Sequence, residues 1–169
     1  MAGIFAPTYT GTITNAGGTS DLGSFSPADD VPIRLRGFLL SQLSEVGDAA
    51  EEGLRITVNR LPATMTVGSG GAAITACKPL SDYSNGDVWN MTARGNDTTP
   101  ATSSGTLEVL QEIAWNIRNS PYDFFYPDAM FCPAIRQSGA NLTGITITMQ
   151  TTPADDFTGC FTFWVEEVI

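Results

Sequence analysis

Histidine is missing from this 169-residue chain, and lysine occurs once, as Lys78. General bases, Schiff-base amines and nitrogen metal ligands are drawn largely from those two residue types. With no imidazole to activate a serine, a Ser–His–Asp triad is excluded. Cysteine is scarce as well: Cys77, Cys132 and Cys160 are odd in number and match no CxxC or zinc-type spacing. Each lies beside apolar or β-type sequence and reads as a small buried hydrophobe, with one disulfide plus a free thiol as the alternative. Charged residues make up only 15% of the chain, below the usual quarter, so much of its surface must be neutral.

The few charges are one-sided, with a net charge of −10. The basic residues other than Lys78 are all arginines, set singly or in pairs such as Arg34/Arg36 and Arg55/Arg60. A phosphate backbone needs clustered Lys and Arg, so nucleic acid is not an expected partner. No run approaches the ~18 apolar residues of a membrane span, so a membrane is not expected either. No basic stretch followed by an apolar run opens the sequence, so the expectation is synthesis in a cytoplasm without a cleaved secretory signal.

What is present is apolar content of 42% and many short Thr-rich runs broken by Gly and Pro. Ile33 to Leu40 (IRLRGFLL) and Leu54 to Leu61 (LRITVNRL) alternate at period two, as do Leu142 to Gln150 and Phe157 to Val168. Thr64 to Val67, Ala73 to Lys78 and Asp87 to Arg94 read as further short strands. Ser44 to Gly53, Ser81 to Gly86 and Gly95 to Gly105 read as loops. Thr106 to Arg118 (TLEVLQEIAWNIR) is ambiguous, and the spacing of Leu107, Leu110, Ala114 and Ile117 predicts a helix of about three turns. Many short strands with Gly/Pro turns predict an all-β fold, an antiparallel β-sandwich or jelly roll over residues 31–169. Trp89, Trp115 and Trp164 are assigned to its core.

Residues 1–30 are weakly patterned, with isolated anchors at Ile4, Phe5 and Tyr9. They read as an extended N-terminal arm, either a disordered tail or a ribbon that orders against a neighbour. Thr8 to Thr14 (TYTGTIT) alternates and suits an edge strand. Tyr122, Phe124, Phe125 and Tyr126 form a Pro-bracketed aromatic loop, suited to anchoring an interface, to stacking sugars, or to folding over its own core.

Other motifs carry little. Gly68-Ser-Gly-Gly lacks the Gly-Lys-Ser/Thr of a phosphate loop. The acidic pairs Asp29/Asp30, Glu51/Glu52, Asp155/Asp156 and Glu166/Glu167 have neither the facing geometry of a glycosidase nor EF-type spacing. The three Asn-x-Thr sequons are of the kind that arise by chance in a Thr-rich chain. No catalytic residue, cofactor or metal site is expected.

Ile33 to Phe38 (IRLRGF), Glu45 to Val58 (EVGDAAEEGLRITV), Gly68 to Thr75 (GSGGAAIT), Ala93 to Thr99 (ARGNDTT) and Thr152 to Glu167 (TPADDFTGCFTFWVEE) together resemble a recurring small structural protein of tailed bacteriophages and prophages. The resemblance spans about Ile33 to Glu167. It implies a capsid cement or decoration protein on the outer shell of the virion, a homotrimer bridging subunits of the major capsid protein. It also implies that Thr106 to Arg118 is more strand-like than its own spacing suggests. On this reading Ile4, Phe5, Tyr9, Arg55, Phe124, Phe125 and Tyr126 are the expected partner contacts. Two other readings use the same body: a carbohydrate-binding or host-recognition protein of a phage tail or fibre, and a tail or neck adaptor.

Overall fold

Period-two alternation governs the strands of this chain. In the C-terminal stretch Phe157–Glu167, Phe157, Phe161, Phe163 and Val165 are buried, while Thr158, Cys160, Thr162 and Trp164 between them are half-buried. Successive strand side chains point to opposite faces, so the stretch lays one apolar face on a core and turns the other outward. The computed structural model describes residues 3–28, 31–44, 52–77, 90–119, 121–137 and 139–168.

The long strands are β1 (Gly3–Ile13), β2 (Ser20–Ser26), β3 (Ile33–Gln42), β4 (Gly53–Leu61), β8 (Thr92–Asp97), β10 (Glu108–Asn116), β13 (Gly144–Met149) and β14 (Phe157–Glu167). Shorter ones are β5 (Met65–Thr66), β6 (Ala72–Ala73), β7 (Ala76–Cys77), β9 (Thr102–Ser103), β11 (Tyr122–Phe125) and β12 (Ala134–Ile135), with a 3-10 turn at Ala129–Phe131. The first sheet runs β11-β3-β14-β1-β7, with β12 also on β3. The second runs β10-β4-β13-β2-β8-β6, and β5 pairs with β9 as a separate ladder. Every pairing is antiparallel. The fold is an all-β antiparallel sandwich.

Its core forms where the two inner faces meet. Phe38, Leu40, Phe161, Phe163 and Val165 from the first sheet pack against Leu22, Phe25, Ile56, Val58, Ile145 and Ile147 from the second. Phe25 and Phe163 meet edge-on at 5.1 Å between ring centroids, and Trp115 meets Phe157 edge-on at 6.0 Å. Edge-to-face contacts suit the ring quadrupoles. Burying each such side chain stabilises the fold by about 1.5–3 kcal/mol.

Three expectations are overturned. Residues 3–26 are not an arm: β1 pairs with β14 along its length, and β2 lies between β13 and β8 with all seven residues buried. The weak pattern misleads because Ser20, Asp21, Ser24 and Ser26 of β2 are buried polar residues under a covering segment. Thr106 to Arg118 is not a helix, since β10 pairs with β4 from Glu108 to Asn116. A bulge at Leu110 advances the alternation by one residue, so same-face positions such as Glu108 and Gln111 fall three apart and the period of two is lost there. Gly95 to Gly105 is not all loop, because β8 reaches Asp97 and β9 follows. The expected turn at Ser81 to Gly86, most of the Ser44 to Gly53 loop, Lys78 and Trp89 lie outside the described residues.

A chain shortened by residues 1–26 loses a central strand from each sheet. We expect it to show no cooperative urea transition and no strand signal by circular dichroism; a cooperative transition would mean that these strands are dispensable.

Candidate interaction surface

The two outer faces of the sandwich differ. On the first sheet, the outward side chains of β1 and β14 form two facing rows: Thr8 opposite Thr162, Thr10 opposite Cys160, and Thr12 opposite Thr158. The Thr8 hydroxyl donates to Thr162 Oγ1 at 3.2 Å, and Thr10 Oγ1 lies 3.3 Å from Cys160 Sγ. β3 continues the face with Ser41 and Leu39. No charged side chain enters this field of six positions.

The aromatic pair Phe125–Trp164 adjoins that field, with ring centroids 4.4 Å apart. Both residues stand beside Gly37 of β3, one from each flanking strand. A Cβ at Gly37 would run into the Phe124 carbonyl and the Phe125 ring, so this close approach requires glycine. Beyond Trp164, Arg34 and Arg36 share Glu166 at 3.4 and 3.7 Å. Phe125 is 52% exposed, and Met130 and Phe131 beyond it are more exposed still.

The second sheet hides the middle of its outer face. The segment carrying β5 and the one carrying β9 lie across it: Met65 packs with Leu61, Ala101 and Leu142, and the Ser26 hydroxyl donates to Met65 Sδ. Beneath them sits a buried polar layer. Asp21 accepts from the Ala101 N–H at 2.8 Å and from the Thr148 hydroxyl at 2.6 Å. Asn59 donates to Thr146 and Thr148. Asp97, fully buried, accepts from Arg94 and from the Gly71 N–H. Toward β10 this face carries the exposed pair Arg55–Glu112, of a kind that adds little to stability, whereas Arg60 has the inward parity of Ile56 and Val58 and binds both Glu108 and the Ala134 carbonyl of the first sheet.

The residues expected to touch partners are scattered. Ile4 is exposed on the outer face of the first sheet. Phe5 is core, and Tyr9 turns inward, its hydroxyl donating to the Leu22 carbonyl at 2.6 Å. Burial pushes the Tyr9 phenol well above its ordinary range. Arg55 is already paired with Glu112 of its own chain. Tyr122 and Phe124 pack on Phe38, and the Tyr126 hydroxyl donates to Gln111 Oε1 at 2.5 Å. The aromatic loop is therefore mostly an edge strand, β11, and of the expected contacts Ile4, Phe125 and the paired Arg55 remain accessible. Trp115 is core as expected, whereas Trp164 is on the outer face.

Two features escaped sequence reasoning. The Thr-lined face is visible in TYTGTIT and FTGCFTFW only once the two segments are known to be neighbours. Asp21 lies in a stretch with no strand-like alternation. Cys132 and Cys160 are both free thiols, and burial pushes the Cys132 thiol up. Among the described residues no three acidic, Cys or His side chains gather as a metal site would require, and no helix is long and apolar enough to cross a membrane. No protein-family model matches the chain, and no characterised protein is detectably similar to it in sequence.

Burial pushes the Asp21 carboxyl up to about 6, against the downward pull of the Thr148 and Ala101 hydrogen bonds and with a smaller upward push from Asp97. A carboxyl raised on folding contributes stability fully below its unfolded pKa near 4, and that contribution is lost as pH rises through 6. A rise of about two units corresponds to about 3 kcal/mol. In urea titrations, wild type should therefore lose about that much relative to Asp21→Asn between pH 4 and pH 7. A pH-independent difference would show that Asp21 is not held in this environment.

Proposed function

We propose that this chain is a non-enzymatic structural protein of a phage particle, of the capsid decoration type, docking through the outer face of its first sheet. The observation that carries the reading is that face itself: in a chain of net charge −10 the rows Thr8–Thr12 and Thr158–Thr162 hold no charge. They lie beside a Trp–Phe pair of the sort that anchors interfaces. Uncharged hydroxyls and aromatics lose little on leaving water, provided the partner supplies hydrogen bonds.

Two further points favour it. Residues Ile33 to Glu167 resemble small structural proteins of tailed phages. The strand order also fits: β11-β3-β14-β1 against β10-β4-β13-β2 is an order we read as a jelly roll, an architecture used in viral capsid and lectin domains. As a homotrimer, three such faces would bind major capsid protein subunits with an effective concentration that multiplies modest contacts. The docking element is then the sheet face, because the stretch expected to trail as an arm is built into both sheets. Of the aromatics of the sugar-stacking alternative, Phe125 stays exposed, while Tyr122, Phe124 and Tyr126 are packed inward.

The test is the number of copies per purified particle. A Thr10→Arg/Thr162→Arg chain should fold normally and fall at least tenfold in copy number, whereas Glu112→Gln on the second sheet should be retained. Full occupancy by the double variant, or its absence from particles in wild-type form, would overturn the reading.

A further inference from the structure

A second binding element lies at the edge of β1. Cys77 and Ala76 of β7 pair with Ala6 and Pro7, and the preceding residues 72 and 73 instead pair with β8 in the other sheet. The strand position beside β1 is thus begun and then abandoned. Two hydrogen bonds fix where the backbone of the next residues points. The Thr158 carbonyl accepts from Leu43 N–H on the β3 side, so Thr158, and with it Cys160 and Thr162, turns its backbone groups away from β1. Their β1 partners Thr12, Thr10 and Thr8 therefore turn theirs away from β14. The Asn96 side-chain amide, donating to the Thr12 carbonyl at 3.0 Å from that open side, agrees. Among the described residues, no hydrogen bond from outside the β1–β14 ladder reaches the Thr10 N–H, the Thr10 carbonyl or the Thr12 N–H.

These groups open into a groove of about 550 Å³ between the edge of β1 and the 70–75 segment. Its walls are mostly backbone and small side chains: Gly11, Gly70, Gly71, Ala72 and Gly95 line it, with the Tyr9 ring behind Gly95. The chain's own packing requires glycine at 71 and 95, where a Cβ would meet the Gly95 carbonyl and the Tyr9 and Ile74 side chains respectively. No charged residue lines the groove, so a charged side chain entering it would be desolvated without a partner.

From this geometry we infer that the open edge of β1 between Thr8 and Thr12 takes an extended, uncharged, small-residue segment of a partner protein as an added antiparallel strand. Unpaired edge groups are a template for such pairing. The window admits about three to five residues at about 3.4 Å each. A matching segment would satisfy Thr10 at both its N–H and its carbonyl, plus the Thr12 N–H, and its electrical neutrality matches the walls. The inference stands on the edge geometry alone and does not require the capsid reading.

The test uses amide exchange on the full chain, with acetyl-Thr-Ala-Thr-Ala-Thr-amide as probe. In the free protein the Thr10 and Thr12 amides should exchange fast, while Tyr9 and Gly11, bonded to β14, are protected. The peptide should slow Thr10 and Thr12 at least tenfold, with a dissociation constant of about 1 mM or below. Replacing its alanines and threonines by lysine or glutamate, or N-methylating its backbone, should abolish the effect. Thr10→Pro removes the outward N–H together with the hydroxyl contact to Cys160 and should weaken the peptide at least tenfold in a chain that still melts cooperatively, whereas Thr10→Val, which loses the hydroxyl contact alone, should bind the peptide as wild type does. Protection of Thr10 before any peptide is added would overturn the proposal, as would equal binding of the N-methylated probe or absence of protection at saturating peptide. Concentration-dependent protection without peptide would assign the edge to a second copy and likewise overturn it.

Discussion

β14 lies between β1 and β3, so the first sheet cannot close until the last strand of the chain meets the first. Their register runs from Gly3 opposite Glu167 to Ile13 opposite Phe157, and it sets every outward and inward position on that sheet. A one-residue slip would exchange the Thr face for the Phe face. The buried row Phe157, Phe161, Phe163 and Val165 prevents the slip, because only one register puts those rings against Phe25 and Ile147. The same contact delivers the neutral outer face, since Thr8, Thr10 and Thr12 stand opposite Thr162, Cys160 and Thr158 only in this alignment. Closing a loop of nearly the whole chain is entropically costly, and folding should be correspondingly slow.

The second sheet solves a different problem. Thr57, Asn59, Thr146 and Thr148 point away from the core yet are buried, because the segments bearing β5 and β9 cover them. Such a layer depends on partners for its polar groups, and a chain of bonds links Asp21, Thr148, Thr146 and the Asn59 Nδ2 amide, while Asn59 Oδ1 and the Ser20 hydroxyl are buried without a protein partner among the described residues. The cover costs the ionisation freedom of Asp21, whose carboxyl is raised by the same burial that seats the flap. One sheet thus spends its outer face on internal structure, and the other keeps its outer face free.

The parts of this arrangement that sequence made legible are those in which apolar and polar residues alternate at period two, whether or not the polar face is exposed. IRLRGFLL, LRITVNRL and the two C-terminal runs alternate in that way and are β3, β4, β13 and β14. β2 broke the pattern because its register shifts at Leu22, which sets its two large apolar residues, Leu22 and Phe25, three apart among Ser, Asp and Gly. β10 broke it because a bulge at Leu110 displaced the alternation. The aromatic loop was legible as aromatic, but orientation is set by pairing: β11 lies along β3 and turns Tyr122 and Phe124 inward, leaving Phe125 to Trp164. The functional face was the least legible, because it is assembled from two segments about 150 residues apart, each of which reads alone as a Thr-rich strand.

A protein that acts by presenting a neutral sheet face and an open strand edge is defined by what covers them. The most direct measurement is a reconstruction of an intact particle carrying the chain, at a resolution that shows side chains. The account predicts another polypeptide seated on Thr8–Thr12, Thr158–Thr162 and Trp164, with the β5–β9 flap toward solvent. A particle in which the flap side is the buried one and the threonine rows face water would contradict it.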